Sequence, residues 1–311
     1  MAENKPITDL NKYPDDLKNC VVVLGNFDGV HLGHQELVIN AKKMADDKNK
    51  PLVILTFALH PKYYFLTDSQ PFTITSLQLK TKYMKDLGAN DVVALDFEKV
   101  KDMTSNEFMQ NILIDGIGAS VVVAGYDFKF GKGRDGNIDT LKTNNAFETL
   151  IIDEVIDSDG STLASTTVRT HIKSGDIKKV NSQLGRNFEI TGTVSKGQQL
   201  GATIGFPTAN IKLDKYTIRP KYGVYAVKLN ILGEDKMISG VANFGIRPTV
   251  DNPQETLEVH LFDFDKDIYE QDVSVQFIDF IREEKKFSGL EELKSAINND
   301  CDVAKKIHLE N

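Results

Sequence analysis

The first half of the chain alternates short apolar runs with amphipathic stretches. Apolar runs of strand length occur at five places, residues 21–24, 52–57, 91–95, 120–124 and 149–152. Between them lie helical patterns, two of which begin with a candidate capping box, at residues 75–78 and 104–107, and Gly88 is the predicted end of the first of these helices. Apolar strands separated by helices predict a parallel sheet covered on both faces, an α/β fold of Rossmann-like type.

After residue 184 the pattern changes. Short strand candidates, several with period-2 alternation, are separated by Gly, Pro, Asn and Asp and occupy residues 188–194, 222–229, 237–244, 256–262 and 273–278. This pattern is typical of a small antiparallel β-barrel or a sandwich. A candidate capping box at residues 288–291 predicts a C-terminal helix that ends near Asn298. We therefore expect two domains, residues 1–184 and 185–311, and favour a barrel for the second.

Length, charge and cysteine content exclude several classes of protein. The 311 residues are enough for two domains, and the net charge of −8, from 37 Lys and Arg against 45 Asp and Glu, argues against a nucleic-acid partner. Cys20 and Cys301 form no CxxC pair, so we expect no disulfide framework. The first residues lack a secretion signal, and no apolar run approaches the roughly 18 residues of a membrane span. We expect a cytoplasmic protein with no membrane partner.

The most informative motif is the ten-residue segment 25–34, Gly-Asn-Phe-Asp-Gly-Val-His-Leu-Gly-His. It follows the first apolar run and precedes an amphipathic stretch, which predicts a strand, a turn and a helix. His31 and His34 then lie at the helix start, where unpaired N–H groups and the helix dipole favour a phosphate. Gly33 lets a ligand approach the backbone. The alternative is two solvated histidines, but the flanking elements favour a phosphate site.

Three further segments suit phosphate-bearing ligands. His60 follows the second strand, and the glycines and basic residues of segment 127–136 predict a mobile, anion-binding loop after the fourth. Ser165, Thr166 and Arg169 lie at a predicted helix start, where hydroxyls and a guanidinium suit a triphosphate. Each segment alone has a plainer interpretation: a loop histidine, a surface loop or an N-cap.

The His-x-Gly-His motif resembles the signature of nucleotidyltransferases. Together these segments resemble the adenylyltransferase module of the prokaryotic bifunctional riboflavin kinase/FMN adenylyltransferase (FAD synthetase) family. The resemblance implies that ATP is bound by the first segment, through Gly25, Asn26, Phe27, Asp28, His31, Gly33 and His34. Departures from the family pattern are Ala164, where serine is usual, and Leu59, where proline is usual.

The same resemblance assigns roles to the other segments. It implies that Ser165, Thr166 and Arg169 close over the ATP phosphates and that His60 and Asp127 contact the flavin. The FMN phosphate attacks ATP directly, so no protein nucleophile is needed. Catalysis is then positioning and charge stabilisation, by His31, His34, Arg169 and magnesium.

The second half carries another motif, Gly-Phe-Pro-Thr-Ala-Asn at residues 205–210. Pro207 fixes the backbone before Thr208 and Asn210, whose oxygens suit Mg²⁺. In the strand at residues 256–261, alternation places Glu258 and His260 on one face, where a carboxylate can accept the proton of an attacking hydroxyl. The plainer interpretations are a proline turn and a solvated strand face.

These residues resemble the riboflavin kinase barrel, and further matches occur at residues 223–226, 242–249, 282 and 286–287. The resemblance implies that Thr208 and Asn210 bind the metal and the ATP phosphates. It makes Glu258 the base for the riboflavin 5′-hydroxyl, and Arg282 a flavin contact. Departures from the family pattern are Asn187, Ala202 and Ile246, where proline, arginine and threonine are frequent.

We therefore expect a bifunctional enzyme of FAD biosynthesis whose partners are ATP, riboflavin, FMN and FAD. The barrel phosphorylates riboflavin to FMN, and the α/β domain transfers AMP from ATP to FMN, both with Mg²⁺. One alternative is a flavin-binding or regulatory protein that keeps the fold after losing one activity; the presence of both histidines, Thr208, Asn210 and Glu258 disfavours it. Another is a nucleotidyltransferase whose barrel binds RNA, which the acidic balance disfavours.

Overall fold

A computed structural model of the chain separates into two compact units, Met1–Ser165 and Thr166–Asn311. It describes residues 5–65, 70–156, 160, 162–197, 200–247 and 254–310. Pro248 and Thr249, which belong to one of the kinase-like matches, lie outside the described residues, as does the side chain of Ala202.

The first unit is built on a five-stranded parallel sheet. Its strands are β1 Cys20–Leu24, β2 Leu52–Phe57, β3 Asp91–Leu95, β4 Ala119–Gly125 and β5 Glu148–Ile152. They lie in the order β3-β2-β1-β4-β5, which confirms the five predicted strands and the parallel sheet. The connections change direction between β1 and β4, and ligands of such sheets bind beyond the carboxyl ends at this point.

Helices cover both faces of the sheet, as predicted. The helices are α1 Leu32–Asp47, α2 Leu77–Asp86, α3 Ser105–Phe108, which continues as a π-helical turn Met109–Ile114, and α4 Ile138–Lys142. Alternate strand residues enter two separate cores: Val22 and Val53 pack on the side of α3 and α4, whereas Val21 and Leu52 pack on the side of α1 and α2. Burial on both faces explains why these strands have continuous apolar runs.

One predicted capping box is confirmed and one is wrong. The Thr104 hydroxyl accepts from the Glu107 N–H, and the Glu107 carboxylate accepts from the Thr104 N–H. At α2 the cap is Ser76, whose hydroxyl accepts from Leu79 N at 3.4 Å. The N–H of Thr75 instead donates to the Asp28 carboxylate, so Thr75 stays outside the helix.

The second unit is a closed antiparallel barrel preceded by helices α5 Ser165–Ser174 and α6 Ile177–Leu184, the first of which begins at the last residue of the first unit. The strands are β6 Phe188–Ser195, β7 Ala209–Leu213, β8 Gly223–Ile231, β9 Met237–Arg247, β10 Gln254–Leu261 and β11 Asp272–Arg282, in the order β10-β7-β6-β11-β8-β9. A short helix, α7 Leu200–Thr203, precedes β7. The sequence analysis did not predict β7, because this strand begins only two residues after Pro207 and looks like part of a turn.

The C-terminal helix α8 spans Leu290–Glu310, so the predicted end near Asn298 is wrong. The helix continues through the polar run because Cys301 and Ala304 are buried against Val224 and Ala226 of β8. Ser288 bonds the carboxylate of Glu292 rather than that of Glu291, through both its N–H (2.9 Å) and its hydroxyl (2.7 Å). Tertiary packing therefore overrides the local polar signal.

Both cysteines are free and buried. Cys20 lies in β1 against the Tyr13 hydroxyl, and burial raises the pKa of its thiol to about 11. None of the helices in the described part of the chain combines the length and apolar character needed to cross a membrane.

The Cys20 thiol gives a pH-dependent contribution to stability. In the folded chain its pKa is about 11, against an ordinary value of 9.0. The folded state therefore keeps a proton that the unfolded state loses, and the contribution is present below pH 9 and lost as the pH rises towards 11. We expect the difference in urea midpoint between the chain and Cys20→Ala, measured by circular dichroism, to shrink over this interval. A constant difference would contradict this account.

Candidate functional sites

The 25–31 turn leads from β1 directly into α1 and carries the first site. His31 is the N-cap of α1 and is 4% exposed, and His34 lies in the first helical turn, as predicted. Their rings stack with centroids 3.7 Å apart, and the edge of Phe27 packs against His34 at 5.3 Å. The two imidazoles therefore form one aromatic group at the positive end of a helix.

Two glycines of this segment lie close against aromatic rings. A Cβ at Gly25 would lie 2.7 Å from the Phe27 ring, and a Cβ at Gly33 would lie 3.2 Å from the His31 ring. At Gly25 a side chain fits only if the Phe27 ring moves, whereas at Gly33 the His31 ring would have to shift by only a few tenths of an ångström. The glycines thus allow the ring of Phe27 to pack against the backbone at Gly25 and the ring of His31 to pack against the first turn of α1 at Gly33.

Two residues with an expected ATP contact are bonded to protein backbone in the structure. The buried Asp28 carboxylate accepts from Ile74 N at 2.9 Å and from Thr75 N at 3.2 Å. The Ser165 hydroxyl donates to the Asp28 carbonyl at 2.8 Å. Both therefore shape the turn. Thr166 is exposed and Arg169 is half-buried, both in α5.

Lys80 of α2 lies against the same turn and was missed by the sequence analysis. Its ammonium donates to the Asn26 carbonyl at 2.7 Å, and the Thr56 hydroxyl donates to the same oxygen at 3.1 Å. Burial lowers the pKa of Lys80 to about 8, and the charge of Asp28 opposes part of that effect. The available signal was its spacing from Leu77 and Met84, which places a lysine on the apolar stripe of α2.

His60 and Asp127 follow the carboxyl ends of β2 and β4, the two strands that flank β1. Both therefore belong to the sheet edge that carries the 25–31 turn. His60 caps the short helical turn Pro61–Tyr64: its Nδ1 accepts from Lys62 N at 3.1 Å, and its ring lies 5.0 Å from that of Phe72. Asp127 is exposed.

The 127–136 loop, predicted to be mobile, is fastened to α3. Phe130 and Gly136 exchange two backbone hydrogen bonds of 3.0 Å, and Lys132 N donates to the Met103 carbonyl at 2.7 Å. Both oxygens of Asp135 accept from the N–H of Ser105, the first residue of α3, at 3.2 Å. The glycines serve this tight path, since a Cβ at Gly131 would collide with the Asp135 carboxylate. These bonds give the loop a defined path, and its mobility remains a prediction.

The second site is a cavity of about 560 Å³ in the second unit, between the barrel and α8. Its polar side comes from three strands: Asn210 of β7 pairs with Glu258 of β10, which pairs with Asn243 of β9. The predicted alternation along β10 is confirmed, because Leu257 and Val259 are fully buried whereas Glu258 and His260 line the cavity. Its apolar side includes Phe206, Val224, Val241, Phe287, Leu293 and Ile297.

Thr208 lines the same cavity, just before β7. The ring of His260 fixes the backbone that precedes it, because His260 Nδ1 shares a 2.8 Å hydrogen bond with the Pro207 carbonyl. Gly197 lies against the amide of Asn210, and a Cβ there would come within 2.3 Å of it. The oxygens of Thr208, Asn210 and Glu258 are thus held together on one wall.

Arg282 enters the cavity from the end of β11. Its guanidinium makes two parallel bonds to Asp300 of α8, Nε to Oδ1 at 2.8 Å and Nη2 to Oδ2 at 2.6 Å. The Asp300 side chain is only 4% exposed, and the guanidinium also lies 5.7 Å from the Phe287 ring. A bidentate pair of this kind fixes the plane of the guanidinium. No sequence pattern indicated Asp300, because it stands in a polar run.

Known proteins with similar sequences cover both units. A family model described as FAD synthetase matches residues 13–167, and one described as riboflavin kinase matches residues 184–308. The bifunctional riboflavin kinase/FMN adenylyltransferase of Haemophilus influenzae is 36% identical over 292 residues, covering 93% of this chain and 94% of the relative. The enzyme of that name from Escherichia coli K12 is 35% identical over 298 residues, covering 94% of each.

A solved structure has the same fold over nearly its whole length. A crystal structure from Streptococcus pneumoniae, described as a macrolide-efflux protein, matches with a TM-score of 0.86 and 32% identity, covering 97% of this chain and 98% of that one. The two family models and the curated relatives named above, which span the same residues, all name flavin enzymes. The chain therefore belongs to the family of bifunctional riboflavin kinase/FMN adenylyltransferases.

Proposed function

We propose that the two activities of this family use the two sites described above. The barrel cavity phosphorylates riboflavin to FMN, and the 25–34 segment directs the adenylylation of FMN to FAD. The observation that best supports this assignment is that Thr208, Asn210 and Glu258, predicted separately from two motifs, line one cavity of a size suited to a small ligand. We place the functional boundary after residue 184, at the end of α6.

In the kinase reaction, Glu258 takes the proton of the riboflavin 5′-hydroxyl. The freed oxygen attacks the γ-phosphorus of ATP, and ADP leaves. Glu258 suits this role because it stands beside Asn210 and Asn243 on the cavity wall and not in the barrel core. Arg282, held by Asp300, and the Phe287 ring offer a cationic and an aromatic surface to the flavin.

The donors on the kinase cavity wall fit a divalent metal, and we propose Mg²⁺. Thr208 and Asn210 offer neutral oxygens, and among the described residues no cluster of three or more His, Cys, Asp or Glu side chains is arranged to hold a metal. Magnesium suits so small a protein donor set, because it takes phosphate oxygens and water for its remaining ligands. When bound, it neutralises phosphate charge.

In the adenylyltransferase reaction, an oxygen of the FMN phosphate attacks the α-phosphorus of ATP and pyrophosphate leaves. His31 and His34 stabilise the phosphate charge from the start of α1, together with the backbone N–H groups there. We retain Gly25, Asn26, Phe27, Asp28 and Gly33 as the frame of this ATP site. Phosphate contacts of Ser165, Thr166 and Arg169, and flavin contacts of His60 and Asp127, remain predictions, as does a cytoplasmic location.

Replacing His31 by alanine should separate the two activities. The imidazole is assigned to the adenylyltransferase alone, so FAD formation from FMN should fall by about 10²–10³-fold, the usual loss for one charge-stabilising donor. FMN formation from riboflavin should persist. The matched control is Lys43→Ala, which alters an exposed side chain farther along α1. Equal loss of both activities in folded His31→Ala would contradict the assignment.

Replacing Glu258 by glutamine tests the base. Glutamine keeps the shape but accepts no proton, so riboflavin phosphorylation should fall by about 10²–10⁴-fold while FAD formation from FMN continues. Glu284, another carboxylate of the cavity, is the rival base. Initial rates of FMN formation for Glu258→Gln and Glu284→Gln decide between them. A larger loss in Glu284→Gln would move the role to Glu284.

A further inference from the structure

In the 25–31 turn, three of the four residues 27–30 have backbone dihedral angles in the left-handed region. The φ angles are 50° at Phe27, 89° at Gly29 and 43° at Val30. Glycine adopts such angles freely, but they are strained for phenylalanine and most of all for a β-branched valine. Backbone strain of this kind persists only where the surrounding structure imposes it. The turn therefore depends on contacts from outside itself.

Those contacts are made to alternate carbonyl groups of the turn. The Asn26 carbonyl accepts from Thr56 and Lys80, the Asp28 carbonyl accepts from Ser165, and the Val30 carbonyl accepts from Gln35 Nε2 at 2.9 Å. With the carbonyls engaged on the protein side, the shape of the turn is set before any ligand arrives. Preformed geometry of this kind is what a phosphate-transfer site requires.

Among the residues that bond these carbonyls, Lys80 is the one whose burial carries a large desolvation free energy. Its side chain leaves the buried face of α2, where Thr81 and Met84 are also buried, and the residue is only 7% exposed. Lysine is almost never enclosed in this way without a specific partner, because removing an ammonium from water is strongly unfavourable. An uncharged apolar residue would fill the same position without that penalty. The charge itself is therefore the feature that needs an explanation.

We propose that Lys80 is a positioning residue of the adenylyltransferase. Its ammonium holds the Asn26 carbonyl and, while protonated, places a positive charge against the turn that leads to His31, where the ATP phosphates bind. This inference rests on the proposed ATP site at the 25–34 segment. Lys80 acts through the turn and through its field, without touching the substrate.

The first test compares two lysines of α2. Lys80→Met removes the buried ammonium, whereas the control Lys82→Met removes an exposed one that pairs with Asp86. For FAD formation from FMN, Lys80→Met should raise the KM for ATP and lower kcat/KM by about 10- to 100-fold, the usual effect of misplacing catalytic geometry. The KM for FMN and the rate of riboflavin phosphorylation should not change. Lys82→Met should leave both reactions unchanged.

A second test uses the unmodified chain and so does not depend on how Lys80→Met folds. Lys80 loses its proton near pH 8, and Asp28 is the charged group whose field acts on it, beside the neutral Thr56 hydroxyl and Asn26 carbonyl. The kcat/KM for ATP in FAD formation, divided by that of riboflavin phosphorylation, should therefore decline between about pH 7 and about pH 9.5. The ratio removes the titration of ATP itself.

The outcomes are distinct. An unchanged KM for ATP in folded Lys80→Met, or a flat ratio of the two reactions over the pH interval, would overturn the role of Lys80. If the unmodified chain forms no FAD from FMN at all, the proposed function of the first unit fails, and the role of Lys80 fails with it.

Discussion

The first unit has to keep the turn after β1 in a backbone conformation that its own residues disfavour. Phe27 and Val30 have positive φ angles, and hydrogen bonds from β2, α2 and the start of α5 hold the carbonyls of Asn26 and Asp28. The Asp28 carboxylate completes the frame by binding the two N–H groups that precede α2. The stacked histidines at the start of α1 owe their place to this frame. A binding site that is rigid before the ligand arrives loses less entropy when it binds.

In the second unit, the alternation of side chains along β10 determines which residues face the cavity. Leu257 and Val259 fill the barrel, so Glu258 and His260 must face the cavity, and the pairing of β7, β10 and β9 brings Asn210 and Asn243 beside the carboxylate. The α8 helix adds the other wall, and its Asp300 sets the plane of Arg282. A sheet register fixes side-chain positions closely because a slip of one residue would turn the core outward.

The sequence predicted the elements whose signals are local. Continuous apolar runs gave the five strands of the parallel sheet, and alternation gave the faces of β10. It failed where distant contacts decide: β7 forms two residues after Pro207 because two strands flank it, and α8 continues through its polar run because Cys301 and Ala304 are buried. Lys80 and Asp300 were missed for the same reason, since each matters through a partner remote in sequence.

We infer that one chain uses ATP at two sites, as a phosphoryl donor to riboflavin at one and as an adenylyl donor to FMN at the other. The most direct measurement follows all products when the purified chain is incubated with riboflavin, ATP and Mg²⁺ and the mixture is separated by chromatography. We expect that FMN and FAD both form, that the amount of pyrophosphate equals that of FAD, and that the amount of ADP equals the sum of FMN and FAD. Unchanged riboflavin, or FAD that appears without an equal amount of pyrophosphate, would contradict it.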